Sequence, residues 1–480
     1  MTVTAQALEA IAGIVGPRGM RCAPAQLDTY ASDGLPTRES RPGAVVLPGS
    51  RDELIRVVRA LAHHGIPFVP RGAGTGLSGG AVADDRQVVI VCTRLNRILE
   101  LDAPNRRAMV EPGVVNVRLS EAARPFGLHY APDPSSQSAC TIGGNVAENA
   151  GGPHCLKYGV TSSHVLALEV VLPDGTLAYL GSGGGEPWGP DLVGLFVGSE
   201  GMFGIATRIT VRLVPIPRAI QTLLADFPTI RAAGEAVSGV IASGLVPAAL
   251  EMMDQNCVRV VEASIYAAGY PVHAAAVLIV ELDGPDAAAV AAESAQIERL
   301  LRAYGAGSVR VAADDIERQR LWQGRKKAFG ALGRLNADLL VQDAVVPRSA
   351  LPDVLEQIGV IAAEHGLEVS NVFHAGDGNL HPNLTFDRRN PDERARVERA
   401  SEAMMRVCIA AGGTITGEHG VGSDKLRYMS LVFDRDTLGA MRAVRDAFDP
   451  EERANPGKVI PVHQCSEWRG RARARQGAAA

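Results

Sequence analysis

A chain of 480 residues, 46% hydrophobic and 21% charged, exceeds the size at which one hydrophobic core usually stops growing, so two domains are expected. Its net charge of −5 argues against a nucleic-acid binder. Seven cysteines without paired C-x-x-C spacing fit a reducing compartment, and no apolar run approaches the about 20 residues of a membrane helix, so a cytoplasmic protein without a spanning segment is expected.

In chain order, GAVVLP (43–48) reads as a strand, SRDELIRVVRALAHHG (50–65) as a Ser-capped amphipathic helix and IPFVP (66–70) as a second strand, a βαβ unit. PRGAGTGLSGG (70–80) follows. Gly74, Gly76 and Gly79 give G-x-G-x-x-G, the spacing of a nicotinamide-dinucleotide loop, and Glu100 lies at about the separation expected of a ribose-binding acid. A Rossmann loop must open a helix, however, and here the next apolar block, VVIVC, reads as another strand. The glycines then suit a different role, a nest of backbone N–H groups around a diphosphate.

Strands follow in RILELDA and RRAMVEPG and a helix in VNVRLSEAARPFG, then a long polar, glycine-rich loop at 131–159. VLALEVVLPDGTLAYLG reads as a hairpin around Asp174 and Gly175, and GIATRITVRLVPIP closes the region, with a domain boundary near Pro215 to Pro217. Beyond 220, strands alternate with Ala-rich helices in two comparable units. The fold class expected is α+β, the second region being an antiparallel sheet with helices on one face.

Two short passages concentrate chemistry. His374 and His381 bracket AGDGNL, and a hairpin there brings two imidazoles together, either to share a metal or to cap strand ends. GEHGVG sets Glu418 and His419 between glycines that let the backbone approach a ligand, unless it is a plain surface loop. Glycine clusters in CTIGGNVAENAGG and GSEGMFGIAT join the nest at 70–80. Three such surfaces suit an extended ligand with a central diphosphate, such as FAD.

RGAGTGLSGGA, APDPSSQSACTIGGNVAENAGG, HCLKYG, GSEGMFGIAT, LWQGRKKAF, NVFHAGDGNLHP, GEHGVG and NPGK occur in this order. From about residue 25 to 463 the chain resembles the FAD-dependent 2-hydroxyacid dehydrogenases of the vanillyl-alcohol-oxidase superfamily. That group includes the FAD-binding subunits of bacterial glycolate oxidases and the D-lactate and D-2-hydroxyglutarate dehydrogenases. The resemblance implies a two-part PCMH-type FAD-binding domain (1–217), a substrate-binding cap (218–440) and a segment returning to the flavin domain (441–464), while the alternation of Arg with small residues reads as a flexible basic tail (465–480). It assigns Arg71, Gly72, Ala73, Gly74, Thr75, Gly76 and Gly79 to the pyrophosphate. Thr141, Gly143, Gly144, Asn145, Ala150, Gly151 and Gly152 fall to the flavin, and Glu200, Gly201 and Ile205 to the adenosine half. Asn455 and Lys458 bring the C-terminal segment back.

The resemblance further implies a divalent metal (Zn, Fe or Mn) on His374, His381 and Glu418, with His419 as general base. Arg325 corresponds to the clamp on the substrate carboxylate and Asn383 to a substrate contact, while Asp343 is the one residue carried over from VQDAVVPRS, which departs from the usual Asp-Gly-Thr at Ala344 and Val345. Residues 70–80 contain no histidine, so FAD is expected to be noncovalent, with Cys140 the one conceivable attachment residue. The implied reaction is oxidation of a small 2-hydroxy acid, glycolate or D-lactate, by hydride transfer to FAD. The implied partners are a second flavin-type subunit and an iron–sulfur subunit, with peripheral attachment at the inner membrane through them. A stand-alone D-lactate or D-2-hydroxyglutarate dehydrogenase and a non-enzymatic flavin-bearing assembly subunit are the alternatives.

Overall fold

The computed structural model describes residues 3–184 and 189–461; the basic tail expected over 465–480 lies outside the described residues. Ala44–Val46, the helix Arg51–His63 and Phe68–Arg71 form the expected βαβ unit. Ser50 starts the helix by accepting the Glu53 N–H, while the Glu53 carboxylate accepts the Gly49 N–H, so two end donors are satisfied reciprocally. One helix face buries Leu54, Val57, Val58 and Leu61. Val88–Val91 lies between the other two strands, parallel to both and wholly buried, with Met20–Arg21 antiparallel at the edge. None of residues 72–87 is helical, so the glycine loop passes from strand to strand.

An antiparallel sheet follows, in the order Ile98–Asp102, Arg107–Val110, Ile205–Arg212, Val165–Val171, Leu177–Gly181. The hairpin at Asp174 and Gly175 is present, Gly175 having φ +85°. The passage at 131–159 differs from the loop expected: it contains a helix, Ile142–Glu148, and a helical turn, Cys155–Tyr158. Thr141 caps the longer one through the Gly144 N–H. Gly143 is weak in helix propensity, but a Cβ there would sit 2.6 Å from Pro112 Cβ, so close packing overrides propensity.

The largest sheet is antiparallel, with Ala219–Phe227, Ala276–Gly284, Ala249–Asp254 and Val369–His374 side by side at its centre. Helices cover both of its faces, a correction to the one-faced arrangement expected. Leu223 and Ala225 face Ile230–Ala242, Ala287–Ala303 and Leu351–Glu364, whereas Leu224, Val277 and Ile279 face Gln255–Glu262, Asp315–Lys326 and Ala328–Leu332. The reason is legible afterwards in AVLIVEL: a strand apolar at consecutive positions has two faces to bury.

An ion network ties this sheet to the 131–159 passage. His154 contacts Asp133 through Nδ1 (2.9 Å) and Glu281 through Nε2 (3.1 Å), and Glu281 also accepts from Thr222 and Trp322. Lys157 and Tyr158 both donate to Asp283 on the same strand. Burial alone would lower the His154 imidazole, but Asp133 and Glu281 outweigh it and raise it from 6.5 to about 10. Likewise burial would raise Asp133, yet His154 and Lys326 hold it at about 2. A raised pKa stabilises the fold fully below 6.5, a contribution lost as pH rises through about 10; the depressed Asp133 stabilises above 3.8 and loses that as pH falls through about 2. The thermal midpoint should therefore decline from pH 7 to 10, and His154→Gln should flatten that decline in scanning calorimetry. A variant that declines as steeply as the parent would refute the network's contribution.

Candidate active site

Two adjoining cavities run along the junction of these sheets. The smaller has an apolar wall of Cys92, Pro112, Val146, Phe196, Ile205 and Ala206. The larger, about 750 Å³, carries residues 72–76 of the glycine loop on one wall and His374, His381, Glu418 and His419 at its far end. Pro70, Arg71, Gly72, Thr141, Gly144, Ala147 and Gly201 border both.

The glycine loop is shaped by close approach. Gly74 has φ +74°, and the Arg71 guanidinium lies where its Cβ would be; that guanidinium donates to Ser32 O (2.9 Å) and stacks on Tyr30. Asn145, Ala150, Gly151, Glu200 and Asn455 also line the larger cavity and Gly143 and Ile205 the smaller, so most residues expected at a dinucleotide converge.

Three of those residues are placed differently from expectation. Gly79 sits under Ser423, 2.5 Å from where its Cβ would be, and Gly152 packs against Asp133 O; neither lines either of these two cavities. Glu200 was expected at the adenosine half, but its carboxylate lines the larger cavity and accepts the Val421 N–H (2.6 Å) and the Gly422 N–H (2.8 Å). Two buried amides need an acceptor, and this carboxylate supplies it from another sheet. Asn455 closes the same seam, donating to Gly80 O and Glu200 O, and Lys458 donates to Val82 O.

His374 ends the strand Val369–His374 and His381 begins the return, so the hairpin sets their rings 5.3 Å apart. His374 Nε2 and His381 Nε2 each lie 3.1 Å from Glu418 Oε1. Behind them, His374 Nδ1 meets Glu251 Oε1 at 2.8 Å, and His381 Nδ1 donates to Gln342 O at 3.0 Å. That last contact fixes the tautomer: a neutral His381 turns its Nε2 lone pair on the Glu418 carboxylate. Only a second proton or a cation between them makes this arrangement favourable. The three ligand atoms lie within 4.8 Å of one another, so the donor set fits a divalent metal.

His419 stacks on His381 (4.9 Å between ring centres), its Nε2 4.0 Å from Glu418 Oε1. Burial lowers its imidazole to about 4, against the opposing pull of Asp343. Asp343, carried over as a substrate contact, instead folds the loop: fully buried, it accepts from Thr416 Oγ1 (2.5 Å), Gly417 N, His419 N and Lys425 Nζ. Burial would raise its carboxyl; Lys425 and the two imidazoles hold it far below its ordinary value.

Asn383 also differs from the substrate contact expected. Its amide donates to Ser370 O (3.0 Å) and His381 O (2.6 Å), bracing the hairpin, and it is absent from the cavity wall. Arg325 is wholly enclosed, its Nη2 2.5 Å from Glu251 Oε2 and its Nε and Nη1 without partners; Lys326, Lys327 and Phe329 form the adjacent cavity wall. Glu251 thus bridges Arg325 and His374. Sequence reasoning missed it, although an acid set between Leu250 and Met252 in the strand ALEMMD was a usable signal.

The seam is tight at Gly422, where φ is +50° and a Cβ would collide with Ser78 O. Gly422→Ala should lose about 1–3 kcal/mol from backbone strain alone, before any clash. Denaturant unfolding measures this, and a loss below about 0.5 kcal/mol would show that the loop docks less closely than described.

Residues 42–181 match the family FAD binding domain and residues 216–459 match FAD linked oxidases, C-terminal domain. The chain is 46% identical over 440 residues to glycolate oxidase subunit GlcD of Escherichia coli (strain K12), covering 92% of this chain and 88% of that one. It is 30% identical over 428 residues to the mitochondrial D-lactate dehydrogenase [cytochrome] of Arabidopsis thaliana, covering 88% and 74%. Substrate-bound p-cresol methylhydroxylase superposes with a TM-score of 0.82 at 18% identity, covering 95% of this chain and 97% of that one, which bears on fold alone. The chain belongs to the FAD-linked oxidases and is a flavin-dependent oxidoreductase of PCMH-type fold.

Proposed function

We propose that the protein oxidises a small 2-hydroxy acid, glycolate or D-lactate, to its 2-oxo acid, as the FAD-bearing subunit of a glycolate-oxidase-type assembly. One observation carries this reading: a single cavity joins a glycine loop shaped for a diphosphate to a cluster of three histidines and a glutamate. Its likeness to a glycolate oxidase subunit over 92% of the chain supports the substrate class and membership of an assembly. A second flavin-type subunit and an iron–sulfur subunit are the partners we propose. No described helix is long and apolar enough to cross a membrane, and peripheral contact with the inner membrane through those partners is part of the proposal.

When bound, FAD supplies a two-electron acceptor and a divalent cation supplies a Lewis acid for the substrate oxygen. Noncovalent FAD would lie along residues 71–76 and 141–151, its adenine toward Ile205. His374, His381 and Glu418 would hold the cation, with Glu251 and Gln342 orienting the two imidazoles. His419 Nε2 takes the hydroxyl proton, its ring held by stacking on His381. Arg325, expected to clamp the substrate carboxylate, is enclosed away from the cavity wall and instead balances the charge of Glu251 behind His374. Residues 1–217 and 218–440 would act as flavin domain and cap, with 441–464 fastening the first.

Anaerobic mixing with glycolate, D-lactate, L-lactate and D-2-hydroxyglutarate tests the substrate. Glycolate or D-lactate should bleach the flavin fastest, and His419→Gln should slow bleaching about 10²–10⁴-fold with FAD still bound. Bleaching fastest by D-2-hydroxyglutarate would favour a dicarboxylate enzyme, and none by any acid a flavin-bearing assembly subunit. Chelation should abolish bleaching and Zn, Mn or Fe(II) restore it; full activity in metal-free protein would remove the metal from the mechanism.

A further inference from the structure

Glu148 is a half-buried acid that the reading above leaves unused. It is the last residue of the helix Ile142–Glu148, and it lines the larger cavity between the glycine loop and His419. Its Oε2 is enclosed and has no hydrogen-bond partner. Three glycines surround the carboxyl. A Cβ at Gly80 would lie 3.1 Å and one at Gly76 3.6 Å from Oε1, and one at Gly420 would collide with Oε2. The donors closest to hand are engaged elsewhere: the Gly420 N–H goes to Thr416 Oγ1, and those of Val421 and Gly422 to Glu200. An enclosed carboxyl without a protein partner is costly, and a ligand group that bonds to it removes that penalty.

The ligand chemistry follows from position. The diphosphate falls to the glycine loop and the adenine toward Ile205 in the smaller cavity, which Glu148 does not line. What spans the distance from a diphosphate on the glycine loop to a flavin ring at the histidines is the ribityl chain, whose hydroxyls both donate and accept. We propose that Glu148 hydrogen-bonds the ribityl hydroxyls of FAD and so sets where the flavin ring stops relative to His419. This rests on the reading that FAD occupies the cavity. Burial, with the Glu200 carboxylate close by, raises the Glu148 carboxyl well above its ordinary value, which suits a group that both donates to and accepts from a polyol.

The test uses full-length protein freed of flavin, titrated with FAD and separately with ADP, which carries the adenosine and diphosphate but no ribityl chain. Glu148→Leu should weaken FAD binding at least about tenfold while leaving ADP within about twofold, and Glu148→Gln should restore FAD to within about threefold, as loss and replacement of hydrogen bonds from an enclosed group predict. Glu148→Ala replaces the leucine variant should that one fail to accumulate, and retained ADP binding reports a folded site. Unchanged FAD affinity in the leucine variant, equal losses for FAD and ADP, or a glutamine variant no better than leucine would each overturn the proposal. A parent chain that binds ADP but not FAD would overturn both this proposal and the reading beneath it.

Discussion

The acceptance of two backbone amides, Val421 and Gly422, by the Glu200 carboxylate is the contact on which the rest of the site depends. Glu200 belongs to the passage between the strands Val165–Val171 and Ile205–Arg212, whereas the amides end the loop that carries Glu418 and His419. Ser78 O takes two more amides, those of Ser423 and Asp424. Buried amides must find acceptors, and here four in succession find them on the cofactor side of the cavity. Cofactor loop and histidine loop therefore form one piece of structure.

From that seam the order propagates inward through charge. Asp343 collects a hydroxyl, two loop amides and the Lys425 ammonium, and so fixes the direction in which Glu418 and His419 leave the backbone. Glu251 does the same for His374 from the strand behind it, with Arg325 balancing its charge. The two imidazoles and the Glu418 carboxylate thus converge through the protein's own contacts, as preorganised electrostatics requires. Each of these acids lies deep in the protein, and each is matched by a cation or an imidazole.

Much of the fold was legible in the sequence. The βαβ unit, the strand after the glycine loop, the hairpin at Asp174 and the hairpin that pairs His374 with His381 all follow from period and turn chemistry, because those signals are local. That strand after the loop separated a flavin nest from a Rossmann site. The helix Ile142–Glu148 was not legible, since Gly143 and Gly144 argue against it and only the Pro112 wall explains the first of them. The second helical layer on the large sheet was missed for a related reason: an apolar strand says that both faces are buried but not by what.

The sequence by itself determined the identities and spacing of the chemical groups: glycines for close approach, two histidines seven positions apart, and Glu418 beside His419. Tertiary structure alone decided their roles. Glu200 anchors the Val421 and Gly422 amides at the cavity it lines, Asp343 and Asn383 brace a loop and a hairpin, and Glu148 and Glu251 join the site although no motif singled them out. A side chain's role depends on which donors and charges lie within about 3 Å of it, and residues distant in the sequence supply most of these. Local spacing carries no record of them.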